Sequence, residues 1–228
     1  MSEHMALENL TVLDLTRVLA GPFCTMMLAD MGANVIKIEV PKGGDDTRSY
    51  PPFRAKNLNG ERESVYFANI NRNKKGITLN LKAPEGKEIF KELVKKADIV
   101  VENYRPGVMD KLGLGYDVLK EINPRIIYAA VSGFGCYGPY HLRPGYDILA
   151  QAMGGMMSIT GSKGGEPTRA GSALGDILGG LHVTIGILAA VNARTITGKG
   201  QRVDVSLMDS MIAATENTAL KYLETGNI

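Results

Sequence analysis

The 228-residue sequence contains no tryptophan, only two cysteines and only three histidines. Cys24 and Cys136 are too few for a disulfide framework and form no CxxC motif, so we expect a reducing compartment, the cytoplasm. His4, His141 and His182 are far apart along the chain and show no metal-ligand spacing, which predicts no metal centre. The sequence therefore favours neither a disulfide-stabilised secreted domain nor a metalloprotein.

The chain also lacks an excess of charge and a long hydrophobic run. Lys and Arg number 26 against 24 Asp and Glu, too small a difference to attract nucleic acid or an anionic membrane. The longest apolar stretch, residues 177–191, is interrupted by glycines and is shorter than the ~20 residues that cross a bilayer, so we predict a buried helix. The polar, acidic first residues lack the basic and apolar regions of a secretory signal.

What the sequence does have is a globular composition, with 44% hydrophobic and 22% charged residues, and a regular alternation of two kinds of segment. Short β-branched runs alternate with amphipathic stretches, which is typical of βα units around a parallel sheet. The pattern predicts an α/β fold with a doubly wound, mostly parallel, Rossmann-like sheet. Strands are predicted at residues 11–15, 34–39, 76–81, 98–102, 125–132 and 201–206. Helices are predicted at residues 21–31, 84–96, 116–122, 146–157, 175–194 and 207–223.

Two irregular segments interrupt this alternation. Residues 41–61 are longer than most connections and carry several glycines and prolines, so they form either a functional loop or a mobile one. Residues 162–171 are a glycine-containing turn region that leads into the next helix.

Several cations follow predicted strands and could meet at one edge of the sheet. Arg17 follows the first strand, and the carboxyl edge of an α/β sheet is where ligands bind; a surface arginine is the alternative. The absence of GxGxxG argues against a nicotinamide site. Residues 71–75 combine three cations with two amides, which predicts a solvated turn when they are taken alone. Lys82, Arg105 and Lys111 follow in later loops, and several cationic loops would suit a ligand with spaced phosphates.

The most informative segment, residues 169–182, places Asp176 among small and apolar residues at the start of a predicted long helix. A lone carboxylate is costly there unless it caps the helix or reacts. Asp176 is therefore either an N-terminal cap or a carboxylate nucleophile, because aspartate can form covalent acyl intermediates when it is activated and shielded from water. The surrounding glycines would let a bulky ligand approach the backbone closely.

Seven segments in their order along the chain resemble the family III CoA-transferases, which include formyl-CoA transferase and the carnitine CoA-transferases. They are VLDLTRVLAGP (12–22), MGANVIKIE (31–39), NRNK (71–74), ADIVVEN (97–103), PGYDILAQ (144–151), GSALGDILGG (171–180) and TGKGQRVD (197–204). The resemblance implies an enzyme that transfers coenzyme A from an acyl-CoA to a carboxylic acid. Asp176 would be its nucleophile, working through an aspartyl anhydride and an aspartyl-CoA thioester. CoA would be a substrate and carrier, with no permanently bound cofactor.

The resemblance also implies which residues contact CoA. By position in the family's pattern they are Arg17, Val18, Leu19, Leu79, Asn80, Leu81, Lys82, Asn103, Tyr104, Arg105, Lys111, Arg143, Tyr146 and Asp147. Formyl-CoA transferase has His-Val-Gln where this chain has residues 17–19, and arginine where it has Lys111. These differences argue against the formyl/oxalate substrate pair.

Two alternatives to a complete transferase remain open. The α-methylacyl-CoA racemases share the fold but use a histidine in a Gly-His-Asp motif, where this chain has Gly145, Tyr146 and Asp147; losing that acid/base favours transfer over racemisation of a 2-methylacyl-CoA. The resemblance implies a chain of roughly 400 residues with a second, smaller domain, and an interlocked homodimer. Residues 1–228 therefore resemble the first part of the large domain, either as a fragment or as one subunit of a split enzyme. Such a chain could bind CoA yet be inactive without the missing portion.

Overall fold

The computed structural model describes residues 4–54, 60 and 62–227. These residues contain eight strands and nine α-helices. The strands are β1 (Thr11–Asp14), β2 (Asn34–Glu39), β3 (Phe53–Arg54), β4 (Glu63–Ser64), β5 (Lys75–Thr78), β6 (Ile99–Glu102), β7 (Ile127–Ser132) and β8 (Arg202–Ser206). The helices are α1 (Ala20–Asp30), α2 (Val65–Ile70), α3 (Pro84–Val94), α4 (Val108–Leu112), α5 (Tyr116–Ile122), α6 (Asp147–Met153), α7 (Leu174–Thr197), α8 (Leu207–Ala214) and α9 (Asn217–Thr225).

Six strands form one parallel sheet in the order β5-β2-β1-β6-β7-β8. This order starts at β1, runs to one side through β2 and β5, and then returns to continue from β6 on the other side. The predicted doubly wound, Rossmann-like α/β fold is confirmed. The order reverses between β1 and β6, and ligands of such sheets bind outside the carboxyl ends of the strands at this point.

Side chains of the central strands are buried on both faces, as a parallel sheet covered by helices requires. Along β1, Val12 joins one hydrophobic cluster with α1, α7 and α8, while the next residue, Leu13, joins the other cluster with α3, α4 and α5. Successive residues of a strand point to opposite faces. The β-branched runs in the sequence are therefore explained by a sheet with a core on each side.

The long helix α7 packs closely against α1. A Cβ atom added to Gly180 would lie 2.8 Å from the backbone oxygen of Ala20 and 3.0 Å from the Phe23 ring, so only glycine allows this approach. By length and composition alone, α7 could cross a membrane. Its Val183 and Ile187 are fully buried in the first cluster, as in the core helix of a globular domain. The buried helix predicted from the sequence is therefore buried on one face only, since Ile185 on the same helix is 62% exposed.

Several predicted boundaries are wrong. The predicted helix 207–223 is two helices, because Glu216 adopts φ 55° and ψ −128° between α8 and α9. The predicted helix 146–157 ends at Met153, and a short 3-10 turn follows. The helix predicted to end at residue 194 continues to Thr197, where Gly198 ends it at φ 70°. Helices α2 and α4 were not predicted.

The long connection after β2 is structured where it is described. Asp45 caps a 3-10 turn, Asp46–Ser49, by accepting a hydrogen bond from the Thr47 backbone nitrogen at 3.0 Å. Further along, β3 and β4 form a short antiparallel hairpin. The part of the predicted loop at residues 55–59 and 61 lies outside the described residues. The described part of this connection therefore consists of ordered turns.

Candidate active site

A cleft of about 210 Å³ opens at the carboxyl edge of the sheet, where the order of the strands reverses. The segments that follow β1, β6 and β7 form its walls, together with the first turns of α7 and α8. It is lined by Arg17, Val18, Leu19, Ala20, Asp46, Asn103, Tyr104, Arg105, Pro106, Val131, Ser132, Gly133, Arg143, Pro144, Gly145, Tyr146, Asp176 and Leu207. The structure therefore brings together Asp176 and eight of the residues predicted to contact CoA.

The loop after β1 is attached to the segment after β6. The Asn103 side chain accepts a hydrogen bond from the Arg17 backbone nitrogen at 2.9 Å and donates one to the Arg17 backbone oxygen at 2.7 Å. This leaves the guanidinium of Arg17 at the cleft, with its side chain 55% exposed and 3.4 Å from an Asp46 carboxylate oxygen. The two hydrogen bonds hold the loop after β1 in a fixed position relative to the segment after β6.

Val18 has a backbone conformation that β-branched residues rarely adopt, with φ at 68°. Such a conformation costs of order 1–3 kcal/mol and persists only where surrounding contacts enforce it. Here the Val18 backbone nitrogen donates to the Asp45 carboxylate at 3.2 Å. The same carboxylate lies 2.9 Å from the ammonium of Lys37, which is also buried. The strained turn is therefore built on a buried ion pair.

A second buried ion pair lies under the start of α1. The Lys74 ammonium is 3.1 Å from the Asp14 carboxylate, and both side chains are almost fully buried. Burial opposes ionisation of Asp14, but Lys74, Lys37 and the hydroxyls of Thr16 and Thr25 outweigh it, so its pKa lies below the usual value. Lys74 is therefore an internal partner of Asp14, which differs from the solvated turn that residues 71–75 predict when taken alone.

Asp176 is the third residue of α7, is partly buried and lines the cleft. It is not the helix cap, because the residue that precedes the helix is Ala173. Within the described residues, no hydrogen bond reaches its carboxylate. Burial raises the pKa of Asp176 from 3.8 to about 7; the negative charge of Asp147 adds to this rise and Arg169 opposes it.

The start of α7 is capped by Asp147, the first residue of α6. Its carboxylate accepts a hydrogen bond from the Gly175 backbone nitrogen at 2.8 Å. It also accepts from the Gln151 amide at 2.9 Å and from the Arg169 guanidinium at 2.7 Å. Asp147 is 6% exposed and does not line the cleft. The structure thus places it behind Asp176, although the family pattern assigns it to CoA.

The remaining predicted residues near the cleft differ in exposure. Tyr146 is 71% exposed at the rim, and the Arg143 guanidinium lies 4.2 Å from the centre of the Tyr140 ring. Tyr104 is partly buried, and its backbone nitrogen donates to Glu102 at 2.7 Å. Burial raises the pKa of Glu102 to about 7. The rim therefore combines exposed cations with aromatic surface.

Besides Asp147, five predicted CoA residues lie outside the cleft. Leu79 and Leu81 follow β5 and pack in the second hydrophobic cluster with Leu15 and Tyr104. Asn80 and Lys82 are exposed beside them, and Lys111 is exposed on α4. They share the carboxyl edge of the sheet with the cleft but do not line it.

Sequence reasoning missed two groups near Asp176. Burial raises the pKa of Tyr66, on α2, to about 12, and the next largest cause is the negative charge of Asp176. Asp46 lines the cleft opposite Arg17. The Asp-Asp-Thr sequence at residues 45–47 is a capping signal that could have indicated an ordered turn here. Nothing local indicated Tyr66, whose position depends on the packing of α2.

Among the described residues, no cluster of three or more His, Cys, Asp or Glu could hold a metal ion.

The fold and cleft define an α/β protein with an open cleft at its topological switch point, and comparison with known proteins identifies the family. A family model for CoA-transferase family III matches residues 7–228, and the chain belongs to this family. It is 50% identical over 99% of its length to an acyl-CoA transferase of Fusarium pseudograminearum, covering 50% of that protein. It is 48% identical over 95% of its length to a succinyl-CoA:mesaconate CoA-transferase of Haloarcula marismortui, covering 55% of that protein.

A solved structure agrees with this assignment. The crystal structure of a CAIB/BAIF family protein from Brucella suis matches with a TM-score of 0.94 and 45% identity, covering 99% of this chain and 59% of that one. The chain spans about half the length of the curated relatives that it matches.

Proposed function

We propose that the protein transfers coenzyme A from an acyl-CoA to a carboxylic acid, with Asp176 as the nucleophile. The observation that carries the proposal is a partly buried carboxylate that lines a cleft and to which no described residue donates a hydrogen bond. A structural aspartate at the start of a helix would normally accept a capping hydrogen bond, and here Asp147 accepts it instead. The Asp176 carboxylate therefore has no capping role and is available to react with a substrate.

The proposed reaction has four steps that each exchange one bond for another. A carboxylate oxygen of Asp176 attacks the thioester carbonyl carbon, the C–S bond breaks, and the thiolate of CoA leaves. The thiolate attacks the aspartyl carbon of the resulting anhydride and releases the donor carboxylate. The acceptor carboxylate attacks the aspartyl thioester and again releases the thiolate. The thiolate finally attacks the acceptor's carbonyl carbon, which forms the new acyl-CoA and restores the Asp176 carboxylate.

No proton is consumed in these steps, so Asp176 must be ionised when it attacks. Its raised pKa of about 7 leaves a large ionised fraction near neutral pH. A more basic carboxylate is also the stronger nucleophile. Burial serves the intermediates too, because an anhydride hydrolyses if water reaches it. The partly buried position of Asp176 therefore suits both the attack and the protection of the acyl-enzyme.

The size of the cleft supports a particular placement of CoA. At about 210 Å³ it is smaller than typical ligand pockets of 300–1,000 Å³. It can admit the acyl group and the end of the pantetheine arm, which leaves the nucleotide outside. Exposed Arg105, Lys82 and Lys111 lie along the same sheet edge, and such groups bind phosphate oxygens strongly. We assign the nucleotide end to this surface and the thioester to Arg17, Val18 and Leu19.

The substrate class follows from the relatives only as far as an acyl-CoA donor and a carboxylic acid acceptor. The position of the racemase histidine holds Tyr146 here, which supports transfer. The homodimer, the cytoplasmic location and the assignment of residues 1–228 to a large domain that lacks its smaller partner stay predictions.

The test measures CoA transfer from succinyl-CoA to mesaconate, the pair named for the Haloarcula relative, using the full-length protein. Asp176→Asn should lower kcat at least ~1,000-fold, as removal of a nucleophile does. Asp209→Asn is the matched control, because Asp209 is also the third residue of its helix but is exposed; its rate should not change. An Asp176→Asn variant within about tenfold of the wild type would overturn the proposal. CoA binding without transfer would indicate a noncatalytic chain, and exchange of the α-proton of a 2-methylacyl-CoA with deuterated water would indicate a racemase.

A further inference from the structure

Three side chains behind Asp176 form a hydrogen-bonded group that we call the Asp147 cluster: Asp147 and Gln151, which are buried, and Arg169, which is partly exposed. Gln151 is completely buried, and its amide nitrogen donates to both oxygens of Asp147 at 3.0 and 2.9 Å. Arg169 donates to Asp147 from two nitrogens at 3.1 and 2.7 Å. Every contact that reaches the Asp147 carboxylate comes from a donor, as an ionised carboxylate requires. The cluster therefore carries a buried negative charge and a partly exposed positive one.

The cluster holds the first turn of α7. Asp147 accepts from the Gly175 backbone nitrogen at 2.8 Å, and Gly175 directly precedes Asp176. Gln151 also donates to the Ser172 backbone oxygen at 3.2 Å and accepts from the Ala170 backbone nitrogen at 2.9 Å. The segment leading into α7 is thus fixed on both sides. A Cβ on Gly175 would lie 3.1 Å from the Ala150 Cβ, so α7 also packs tightly on α6.

We propose that the Asp147 cluster is a positioning device that fixes the Asp176 carboxylate in the cleft and sets the pH range in which it is ionised. This inference rests on the proposed function of Asp176. Asp147 and Arg169 act on Asp176 with opposite sign, because the first is a like charge and the second a counter-charge. The cluster therefore contributes to the reaction without contacting substrate.

Other charged groups face Asp176 from the remaining elements. Tyr66 on α2 lies close enough for the negative charge of Asp176 to contribute to the raised pKa of its phenol. Arg17, Arg105 and Arg143 line the same cleft, where cations favour an ionised carboxylate, and Asp46 lines it too, where an anion opposes ionisation. These groups are common to every variant below. A change in the pH dependence after a substitution in the cluster can therefore be attributed to the cluster.

The test compares two substitutions that remove opposite charges. Asp147→Asn removes the like charge, so the pH at which kcat reaches half its maximum should fall by roughly one unit. Arg169→Gln removes the counter-charge, so the same midpoint should rise. Asp117→Asn and Arg125→Gln are the matched controls, at exposed positions outside the cleft, and should leave the midpoint unchanged. A merely structural role would lower kcat or stability but would not move the midpoint in opposite directions.

A direct titration separates this inference from the proposed function. Aspartate labelled at the side-chain carboxyl carbon reports each ionisation by NMR, and the Asp176 signal is identified by its loss in Asp176→Asn. The titration needs no turnover, so it remains decisive if transfer fails. Opposite shifts of the Asp176 midpoint in Asp147→Asn and Arg169→Gln would support the cluster's role. Unchanged midpoints, or shifts in the same direction, would overturn it. Should Asp147→Asn fail to fold, a downward or absent shift in Arg169→Gln, whose side chain is 41% exposed, would overturn it alone.

Discussion

Replacing Asp176 by asparagine should stabilise the fold at neutral and alkaline pH, because it removes a desolvated charge. The pKa of Asp176 is raised from 3.8 to about 7 by burial first and by Asp147 second. Each pKa unit corresponds to ~1.36 kcal/mol of differential interaction between the two protonation states, so the full shift amounts to ~4 kcal/mol. Solvent at the mouth of the cleft screens part of this cost. The positive end of α7 offsets about 0.3–1 kcal/mol more. We expect a net stabilisation of ~1–3 kcal/mol.

The pH dependence fixes the sign of this effect. Between the unfolded pKa of 3.8 and the folded pKa of about 7, the folded protein keeps a proton that the unfolded chain has released. Wild-type stability should therefore fall as the pH rises through this window and level off above it. Asparagine resembles the protonated acid and carries no such penalty. The advantage of Asp176→Asn should be small near about pH 4.5 and reach its full size near about pH 8.

Urea unfolding of the wild type, Asp176→Asn and Asp209→Asn at both pH values provides the measurement. Asp209 occupies the same helical position on α8 but is exposed. Its replacement removes only the favourable interaction with the helix end and should destabilise by about 0.3–1 kcal/mol. If Asp176→Asn is no more stable than the wild type near about pH 8, Asp176 is not a desolvated carboxylate, and the reasoning on its reactivity is refuted.

Three further predictions concern the frame around the site. Lys74→Met should destabilise by about 3–5 kcal/mol in urea unfolding because it leaves Asp14 buried and unpaired, while the exposed neighbour Lys75→Met stays within ~0.5 kcal/mol; equal effects would contradict the buried ion pair. Gly180→Ala should lower the free energy of unfolding by about 1–3 kcal/mol, because the added Cβ would push α1 away from α7. Gly171→Ala should leave it unchanged in the same measurement, because a Cβ there would meet open space. Asn103→Ala should raise the KM for acyl-CoA about tenfold in steady-state kinetics by releasing the Arg17 loop, and exposed Asn192→Ala should not; an unchanged KM would remove the loop from CoA binding.

The sheet was predictable because each buried strand carries a β-branched run that a helical period cannot explain. All six predicted strands are present, and their parallel order follows from the helices between them. The break between α8 and α9 was not predictable in the same way. Glu216 is neither glycine nor proline, and the apolar pattern continues across it, so only the backbone angles reveal the interruption.

The candidate site was predictable where its residues follow strands. Arg17 and Asn103 follow neighbouring strands, and the two residues are hydrogen-bonded to each other. The roles of Lys74 and Asp147 were not visible, because each depends on a partner far along the chain: Asp14 for the first, Gly175 and Arg169 for the second. A motif places a side chain near a sheet edge, but only tertiary packing decides whether it faces the ligand or supports a residue that does.

The central claim is that Asp176 becomes covalently linked during transfer, and mass spectrometry after trapping tests it most directly. The tryptic peptide covering residues 170–194 contains Asp176 as its only acidic side chain, so any carboxyl adduct on that peptide is assigned without ambiguity. The full-length protein is mixed with acyl-CoA and quenched with hydroxylamine, with Asp209→Asn as the matched control. The account predicts an aspartyl hydroxamate on this peptide, formed only when acyl-CoA is present. An unmodified peptide from protein that is actively transferring CoA would contradict it.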